Sequence, residues 1–296
     1  MHRIIFISLL ALIISALAAC GASRQSGYQG YLYFAKGSYL MLFSLRDGSQ
    51  SVVTHLGSKT INDISDFGEN RLLIAESALV NRKEVHRISW VDVKSGQASA
   101  LFAGVFARYL AASGLMIYDD GRRLFVVDFS GDSSSETIFT RRMNQITTVK
   151  VIPGDTLLIE TSEQGLHNLK SYHVPTGTSR SLERLSGVCR LEHAVWIDDL
   201  EQLACKQQTP DETEGAYLLA NLDGDVSRNL VFPEGKRFDA VTYVSAQGAL
   251  VLSENWNSMF GTEERSAVWV HNIHSGENSR LAKKLKLGSS VVYTDF

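Results

Sequence analysis

The sequence predicts an all-β protein: a six-bladed β-propeller of four-stranded blades, closed by the C-terminal strand completing the first blade. Three observations carry this prediction. Short apolar runs end in turn residues with almost no helical periodicity, two ladders of turns recur along the chain, and one strand-like segment at the C-terminus has no neighbour to pair with.

The runs come first. Residues 39–45, 71–75, 87–93, 124–129, 156–160, 217–222 and 267–273 alternate or bunch apolar side chains and stop at Gly, Asp, Asn or Ser. Only four prolines punctuate the 296 residues, and no low-complexity tract interrupts them. Many short strands in one long chain fit a sandwich, a barrel or a propeller, and internal repeats decide among these.

The first ladder of turns is Asp47-Gly48, Ser95-Gly96, Ser130-Gly131, Thr176-Gly177, Asp223-Gly224 and Ser275-Gly276. Each follows an apolar strand, such as Ser89-Trp90-Val91-Asp92-Val93, and precedes a more polar one. Glycine at the second turn position suits the positive φ of a tight hairpin. A second ladder runs out of phase with it: Asp66-Phe67-Gly68, Ala112-Ser113-Gly114, Ile152-Pro153-Gly154, Asp198-Asp199-Leu200 and Ala246-Gln247-Gly248. Each of these leads into an apolar strand such as Leu115-Met116-Ile117-Tyr118. Both ladders have the spacing of a four-stranded blade, about 40–50 residues.

The ends supply the closure. The first repeat, 28–56, holds only three strands, at 30–34, 38–45 and 51–55, and the second ladder has no member there. The chain then ends on Val291-Val292-Tyr293-Thr294-Asp295-Phe296, whose valines and terminal aromatic are poor residues for a frayed tail. Residues 290–296 are therefore expected to be the innermost strand of the first blade.

With turns such as Ser65-Asp66-Phe67-Gly68 before Leu72-Leu73-Ile74, and Ser245-Ala246-Gln247-Gly248 before Leu250-Val251-Leu252, the chain resembles the TolB-like and WD40-like propellers of bacterial envelopes. The resemblance covers roughly residues 28–296 and is one of pattern. The Ser-Pro-Asp-Gly turn usual in that class is nowhere intact, so the resemblance implies a fold and not TolB's particular role.

The N-terminus gives an address. Residues 1–19 have a short n-region with Arg3, an apolar stretch from residue 4 to residue 17, and small residues before a cut. The stretch is shorter than the roughly 20 apolar residues of a transmembrane anchor. Leu17-Ala18-Ala19-Cys20 resembles the lipobox of bacterial lipoproteins, which a plain secretory signal would contain only by coincidence. The resemblance implies removal of 1–19, acylation of Cys20 (diacylglycerol and an amide-linked chain such as palmitate), and membrane attachment through several acyl chains. Gly21, where inner-membrane lipoproteins carry aspartate, points to the periplasmic side of the outer membrane. The division is thus signal peptide 1–19, lipidated tether 20–28 and propeller 29–296. The tether is too short for the propeller to turn over freely, so the face where the chain enters should lie toward the membrane.

The mature chain remains near neutral, without the basic excess that drives nucleic-acid binding. Beyond Cys20 only Cys189 and Cys205 remain, and an oxidising compartment favours a disulfide between them over two buried thiols.

Catalytic patterns are scarce. There is no Gly-x-Ser-x-Gly elbow, His-Glu-x-x-His or Cys-x-x-Cys. No catalytic residue, metal ligand or cofactor is therefore assigned. His271 and His274, His167 and His173, and His193 read as exposed hairpin residues. Asn221-Leu222-Asp223-Gly224-Asp225 reads as a hairpin turn and not a calcium loop, since it lacks the further spaced acids. Near the innermost strands, Asp63, Glu192, His193 and Asp239 are the polar groups a propeller enzyme could use.

Binding has more support. Segments 76–84, 206–215 and 255–265 read as long loops on the face that also carries the inter-blade connections. The last displays Trp256, Met259 and Phe260, types enriched at protein interfaces. Arg141, Arg142 and Lys236-Arg237 add a basic rim, opposed by acids at Asp211, Glu212, Glu214, Glu263 and Glu264. A mixed-charge rim around aromatics suits an envelope protein partner. The expectation is a monomeric, non-catalytic binding or scaffolding propeller. The alternative is a propeller hydrolase or lyase acting on a carbohydrate or lactone at the central channel.

Overall fold

The computed structural model describes residues 27–119, 124–128, 136–139, 146–163, 166–207, 216–234, 236–257, 264–287 and 290–294. β1 (Tyr31–Lys36), β2 (Tyr39–Ser44) and β3 (Gln50–His55) begin the first blade. β4 (Thr60–Asp66), β5 (Arg71–Val80), β6 (Lys83–Asp92) and β7 (Ala98–Phe102) make the second. The third holds β8 (Phe106–Leu110), β9 (Leu115–Asp119), β10 (Leu124–Asp128) and β11 (Glu136–Phe139). The fourth holds β12 (Ile146–Ile152), β13 (Thr156–Glu163), β14 (Leu166–His173) and β15 (Thr178–Ser181). β16 (Cys189–Ile197), β17 (Gln202–Gln207), β18 (Tyr217–Ala220) and β19 (Val226–Leu230) form the fifth. β20 (Phe238–Val244), β21 (Ala249–Asn257), β22 (Glu264–Asn272) and β23 (Asn278–Lys283) form the sixth. The last strand, β24 (Val291–Thr294), lies beside β1, giving the order β24-β1-β2-β3 and completing six four-stranded antiparallel blades in a ring.

The second strand of each blade explains why this sequence makes a propeller. Both of its faces are covered by neighbouring blades, so it reads as a continuous apolar run whose residues alternate between two interfaces. Leu72 and Ile74 of β5 join Tyr33 and Leu40 of the first blade. Leu73 and Ala75, between them in sequence, join Met116 and Tyr118 of the third blade. Leu250 and Leu252 against Val251 repeat the division in the sixth blade. Six apolar clusters result, one at each seam between blades. Outer strands go the other way. All four residues of β15 are exposed, as a solvated edge strand requires.

Both turn ladders fall on one face, here the lower face. Gly48, Gly96, Gly177, Gly224 and Gly276 take φ between 68° and 83°. In the second ladder Gly68, Gly114, Gly154 and Gly248 take φ between 57° and 74°, and Glu201 takes the left-handed role at φ 50° after Asp198–Leu200. Ser130-Gly131 lies outside the described residues. Asn221 confirms its turn chemistry: its Oδ1 accepts the backbone N–H groups of Asp223 and Asp225, at 3.0 and 2.9 Å.

The closure is as expected from the sequence, with Tyr31 opposite Thr294 and Phe34 opposite Val291. Gly30, at φ 93°, makes room for it. A Cβ there would stand 2.5 Å from the Tyr293 ring and 2.6 Å from the Thr294 carbonyl oxygen. Cys189 and Cys205 are joined, Cα to Cα 5.7 Å, tying β16 to β17 within the apolar seam between the fourth and fifth blades.

Two expectations change. Segment 76–84 is not a loop: β5 and β6 continue as a paired ribbon to a two-residue turn, Asn81-Arg82, with φ of 50° and 62°. Segment 255–265 is likewise strand at both ends, paired as far as Asn257 and Glu264.

Candidate functional site

The six innermost strands, β24, β4, β8, β12, β16 and β20, surround the axis, and charged side chains from neighbouring strands meet between them. Arg108 of β8 grips Asp63 of β4 with both terminal nitrogens, Nη2 donating to Oδ1 at 3.1 Å. The Ser290 hydroxyl, just before β24, donates to the same Oδ1 at 2.5 Å. Opposite, Lys206 Nζ donates to Asp239 of β20 at 2.5 Å, and His193 Nε2 of β16 stands 3.6 Å from that carboxylate. The Lys206 ammonium also lies 5.9 Å from the centre of the Tyr217 ring, and the Tyr217 hydroxyl accepts the Ala240 N–H at 2.7 Å. This bond fixes β18 against β20.

Lys150 of β12 differs from the other cations. It is only partly exposed, and among the described residues its ammonium has no hydrogen-bond or ion-pair partner. Burial, reinforced by the Arg108 charge, pushes it down to about 8, with Asp63 and Glu192 pulling the other way. Burial also lowers His193, partly offset by Asp239, so its imidazole is mainly neutral at pH 7. Glu192 faces solvent, its side chain 76% exposed, with His193 3.9 Å away. Thus His193 stands between Glu192 and Asp239, at 3.9 and 3.6 Å, while Asp63 is held separately by Arg108 and Ser290. Among the described residues no three His, Cys, Asp or Glu side chains are grouped to hold a metal ion.

A second polar knot lies off the axis, between the fourth and fifth blades. Glu160 is buried, with His167 Nδ1 and Arg190 Nη1 each 3.5 Å from its Oε1. Burial raises the Glu160 carboxyl, and Arg190 and His167 oppose that. His167 is therefore not an exposed hairpin residue. Neither is His271, which is buried in β22, hydrogen-bonded to Asn278 at 3.0 Å and edge-on to Phe232. Both were misread because nearby turn residues dominate their local sequence.

The upper face carries the ends of the second strands. There the β5–β6 ribbon runs unpaired on either edge from about Ala78 to Arg87, since β4 stops pairing at Ser77 and β7 at Ile88. Three residues beyond the blade make about 10 Å of projection. Leu79, Val80 and Val85 are 80%, 51% and 43% exposed on it. Arg82, Lys83, Glu84 and Arg87 surround them, all exposed. The β21–β22 hairpin extends on the same face, and the backbone of Trp256 pairs there with Arg265. Arg237 is exposed at the entry to β20. Lys236 is not part of a free basic rim: its ammonium donates to Glu254 at 2.5 Å and lies over the Trp269 ring. Cys20, Arg141, Arg142, Met259 and Phe260 lie outside the described residues, as does the Trp256 side chain.

No protein-family model matches the chain, and no curated relative matches it in sequence. Solved structures do match in shape. A chain of the nidogen/laminin complex superposes with a TM-score of 0.62 at 12% identity, covering 89% of this chain and 97% of that one. TolB from Acinetobacter baumannii gives 0.58 at 10% identity, over 89% of this chain and 66% of TolB. Oligogalacturonate lyase from Vibrio parahaemolyticus gives 0.53 at 14% identity, over 87% of this chain and 75% of the lyase. At such identities the likeness establishes the six-bladed propeller and nothing finer.

Proposed function

We propose that this chain is a non-catalytic, periplasm-facing lipoprotein, anchored through Cys20 in the outer membrane, whose propeller binds an envelope protein on its upper face. The observation that carries the reading is the β5–β6 ribbon. Aliphatic side chains as exposed as Leu79 and Val80, held out on a two-stranded ribbon with open edges, are costly to leave bare. The charges beside them have both signs, Arg82, Lys83 and Arg87 against Glu84, which suits a protein surface better than a polyanion. Open strand edges also allow a partner strand to add to the sheet. Trp256, Met259, Phe260, Arg141, Arg142 and Arg237 extend the same surface in this reading.

The lower face supports the tethering half of the proposal. Tyr28 packs into the seam between the sixth and first blades, and Gln247 Nε2 donates to the Gln29 carbonyl at 3.3 Å. The chain thus enters at the lower face, about ten residues after Cys20. A photo-crosslinker at position 79 of the full lipidated chain tests the reading. One partner should be captured there and lost on Val80→Asp, with no capture from position 226, which starts an outer strand at the lower face. Equal capture from both positions would reject the upper face as the interface.

A second reading, an enzyme acting on a carbohydrate or lactone, draws on Glu192, His193 and Asp239, which adjoin one another, and on Asp63 of the innermost strand β4. It is weaker because Asp63 and Asp239 are committed to Arg108 and Lys206.

A further inference from the structure

We propose that the outer edge of β6 takes up one added β-strand from a protein partner, and that this strand carries an aliphatic side chain flanked by acids at alternate positions. The inference rests on the partner reading above and names the chemistry that the partner would bring. It starts from the register of the ribbon. Asn81 and Arg82 both take positive φ, so their two-residue turn is of the type whose flanking residues, Val80 and Lys83, exchange hydrogen bonds. From there bonded and non-bonded pairs alternate, as in any antiparallel ladder. Ala78 and Val85 therefore bond to each other, while the backbone groups of Leu79 and Ser77 on β5, and of Glu84 and His86 on β6, point away from the ribbon. The same alternation turns Ser77 and Ile88 outward, where they stand opposite Thr60 of β4 and Phe102 of β7.

The two edges are not equal. On β5 only Leu79 turns its backbone outward beyond the pairing with β4, which ends at Ser77. On β6 both Glu84 and His86 do so beyond the pairing with β7, which ends at Ile88. Among the described residues no strand covers these positions, so β6 offers an incoming strand twice the donors and acceptors that β5 does. The added strand belongs on β6.

Side chains set the partner's pattern. Leu72 and Ile74 face the first blade, and Ala78 and Val80 continue that face of β5. Their cross-strand neighbours on β6 are Val85 and Lys83, with Arg87 opposite Glu76. Val85 thus stands between two exposed cations, Lys83 and Arg87, while the acid of this face, Glu76, is buried and held by Lys59. The other face of the ribbon carries Leu79, with Glu84 and His86 already beside each other at 3.8 Å. The matching strand has an aliphatic residue opposite Val85 and an acid opposite each of Lys83 and Arg87, a pattern that reads the same in either direction. A second copy of this chain does not match. Antiparallel pairing about Val85 would set Lys83 against Arg87 of the other copy, and in-register parallel pairing would set each cation against itself.

The test is amide hydrogen exchange on the full lipidated chain in detergent, with two peptides as probes, Thr-Glu-Thr-Val-Thr-Glu-Thr and Thr-Lys-Thr-Val-Thr-Lys-Thr. The acidic peptide should slow exchange of the Glu84 and His86 amides by about threefold or more, and the basic peptide should leave them unchanged. In the double variant Lys83→Glu with Arg87→Glu the two peptides should trade roles. His86→Pro removes an outward N–H without touching the bonds between β5 and β6, and it should abolish the protection of Glu84. Protection that is absent with the acidic peptide, or indifferent to the charge swap, would overturn the added strand. Protection of Glu84 that persists in His86→Pro would do the same, since it would mark charge attraction without pairing. Capture of a partner from position 79, undiminished by His86→Pro, would overturn the strand while leaving the upper-face reading intact. No capture from position 79 in the unsubstituted chain would instead reject that reading, and the partner strand with it.

Discussion

The closing seam can be tested at one backbone position. Gly30 has φ 93°, and an added Cβ would meet Tyr293 at 2.5 Å and the Thr294 carbonyl at 2.6 Å. Gly30→Ala therefore carries two penalties. Forcing a residue with a Cβ into positive φ costs about 1–2 kcal/mol, and overpacking against β24 adds about 1–3 kcal/mol. Gly37, in the β1–β2 turn, supplies the control. Its φ is 61°, and a Cβ there would meet nothing within 4 Å, so Gly37→Ala should show the first penalty alone. Urea denaturation of both variants, read as the shift in midpoint at constant slope, gives the difference. Hydrogen exchange should place the second penalty: amides of β24 lose protection in Gly30→Ala and keep it in Gly37→Ala. Equal stability losses in the two variants, with β24 equally protected in both, would refute the claim that Gly30 is a close-packed part of the closure.

Lys150→Met should stabilise the protein at pH 7. An ammonium lowered from 10.5 to about 8 corresponds to about 3 kcal/mol at 1.36 kcal/mol per pH unit, and solvent screening of this partly wetted group leaves about 1–2 kcal/mol. The sign follows from linkage. Between pH 8 and 10.5 the unfolded chain binds more protons at this group, so its contribution favours folding as pH rises and is lost as pH falls through 8; a urea series across that range should show a rise that the variant lacks. Removing the disulfide by Cys189→Ala with Cys205→Ala should lower stability by about 3 kcal/mol for a loop of this length, checked by thermal melting, since the two sulfurs close a span of 16 residues. Cys20→Ala should abolish incorporation of labelled palmitate and release the chain from membranes; retention of both would reject the lipoprotein reading.

Much of the fold was legible because its signals are local. Turn glycines, apolar second strands and an unpartnered end strand each report on their own few residues. The axial cluster is legible only through the repeat. Asp63 and Arg108 are 45 residues apart, and the Ser65 hydroxyl donates to the Ala107 carbonyl across 42. Arg184 and Asp225 are separated by 41, and Arg228 reaches the Ile273 carbonyl across 45. These separations are all close to one blade, so opposite charges one repeat apart were the signal for seam-crossing pairs. Lys150 gives no such sign. In Thr147-Thr148-Val149-Lys150-Val151 it looks like an ordinary strand lysine, and only the ring shows that the nearby acids are committed elsewhere. The β5–β6 ribbon was misread for a different reason. Asn81-Arg82 adopts the paired positive φ usual for Asn-Gly, without the glycine that would mark it.

The position of the closing strand also bears on how the anchor would be carried. With β24 innermost, β1 is paired along both edges, to β24 and to β2. If Cys20 holds the chain to a membrane, tension along the tether enters at β1 and is resisted by two hydrogen-bonded ladders. Had the N-terminal strand itself been innermost or outermost, the same tension would have worked on a strand with one ladder, peeling it from the blade. Tyr28, packed in the seam between the sixth and first blades, meets the load before β1 does. The C-terminal strand therefore does more than close the ring. It turns β1 into an interior strand, and a propeller anchored through Cys20 would have more need of that arrangement than a free one. Removing residues 290–296 should then weaken the lipidated protein under shear at the membrane more than it weakens a soluble form lacking residues 1–20. Equal weakening of the two would show that the closure serves the ring alone.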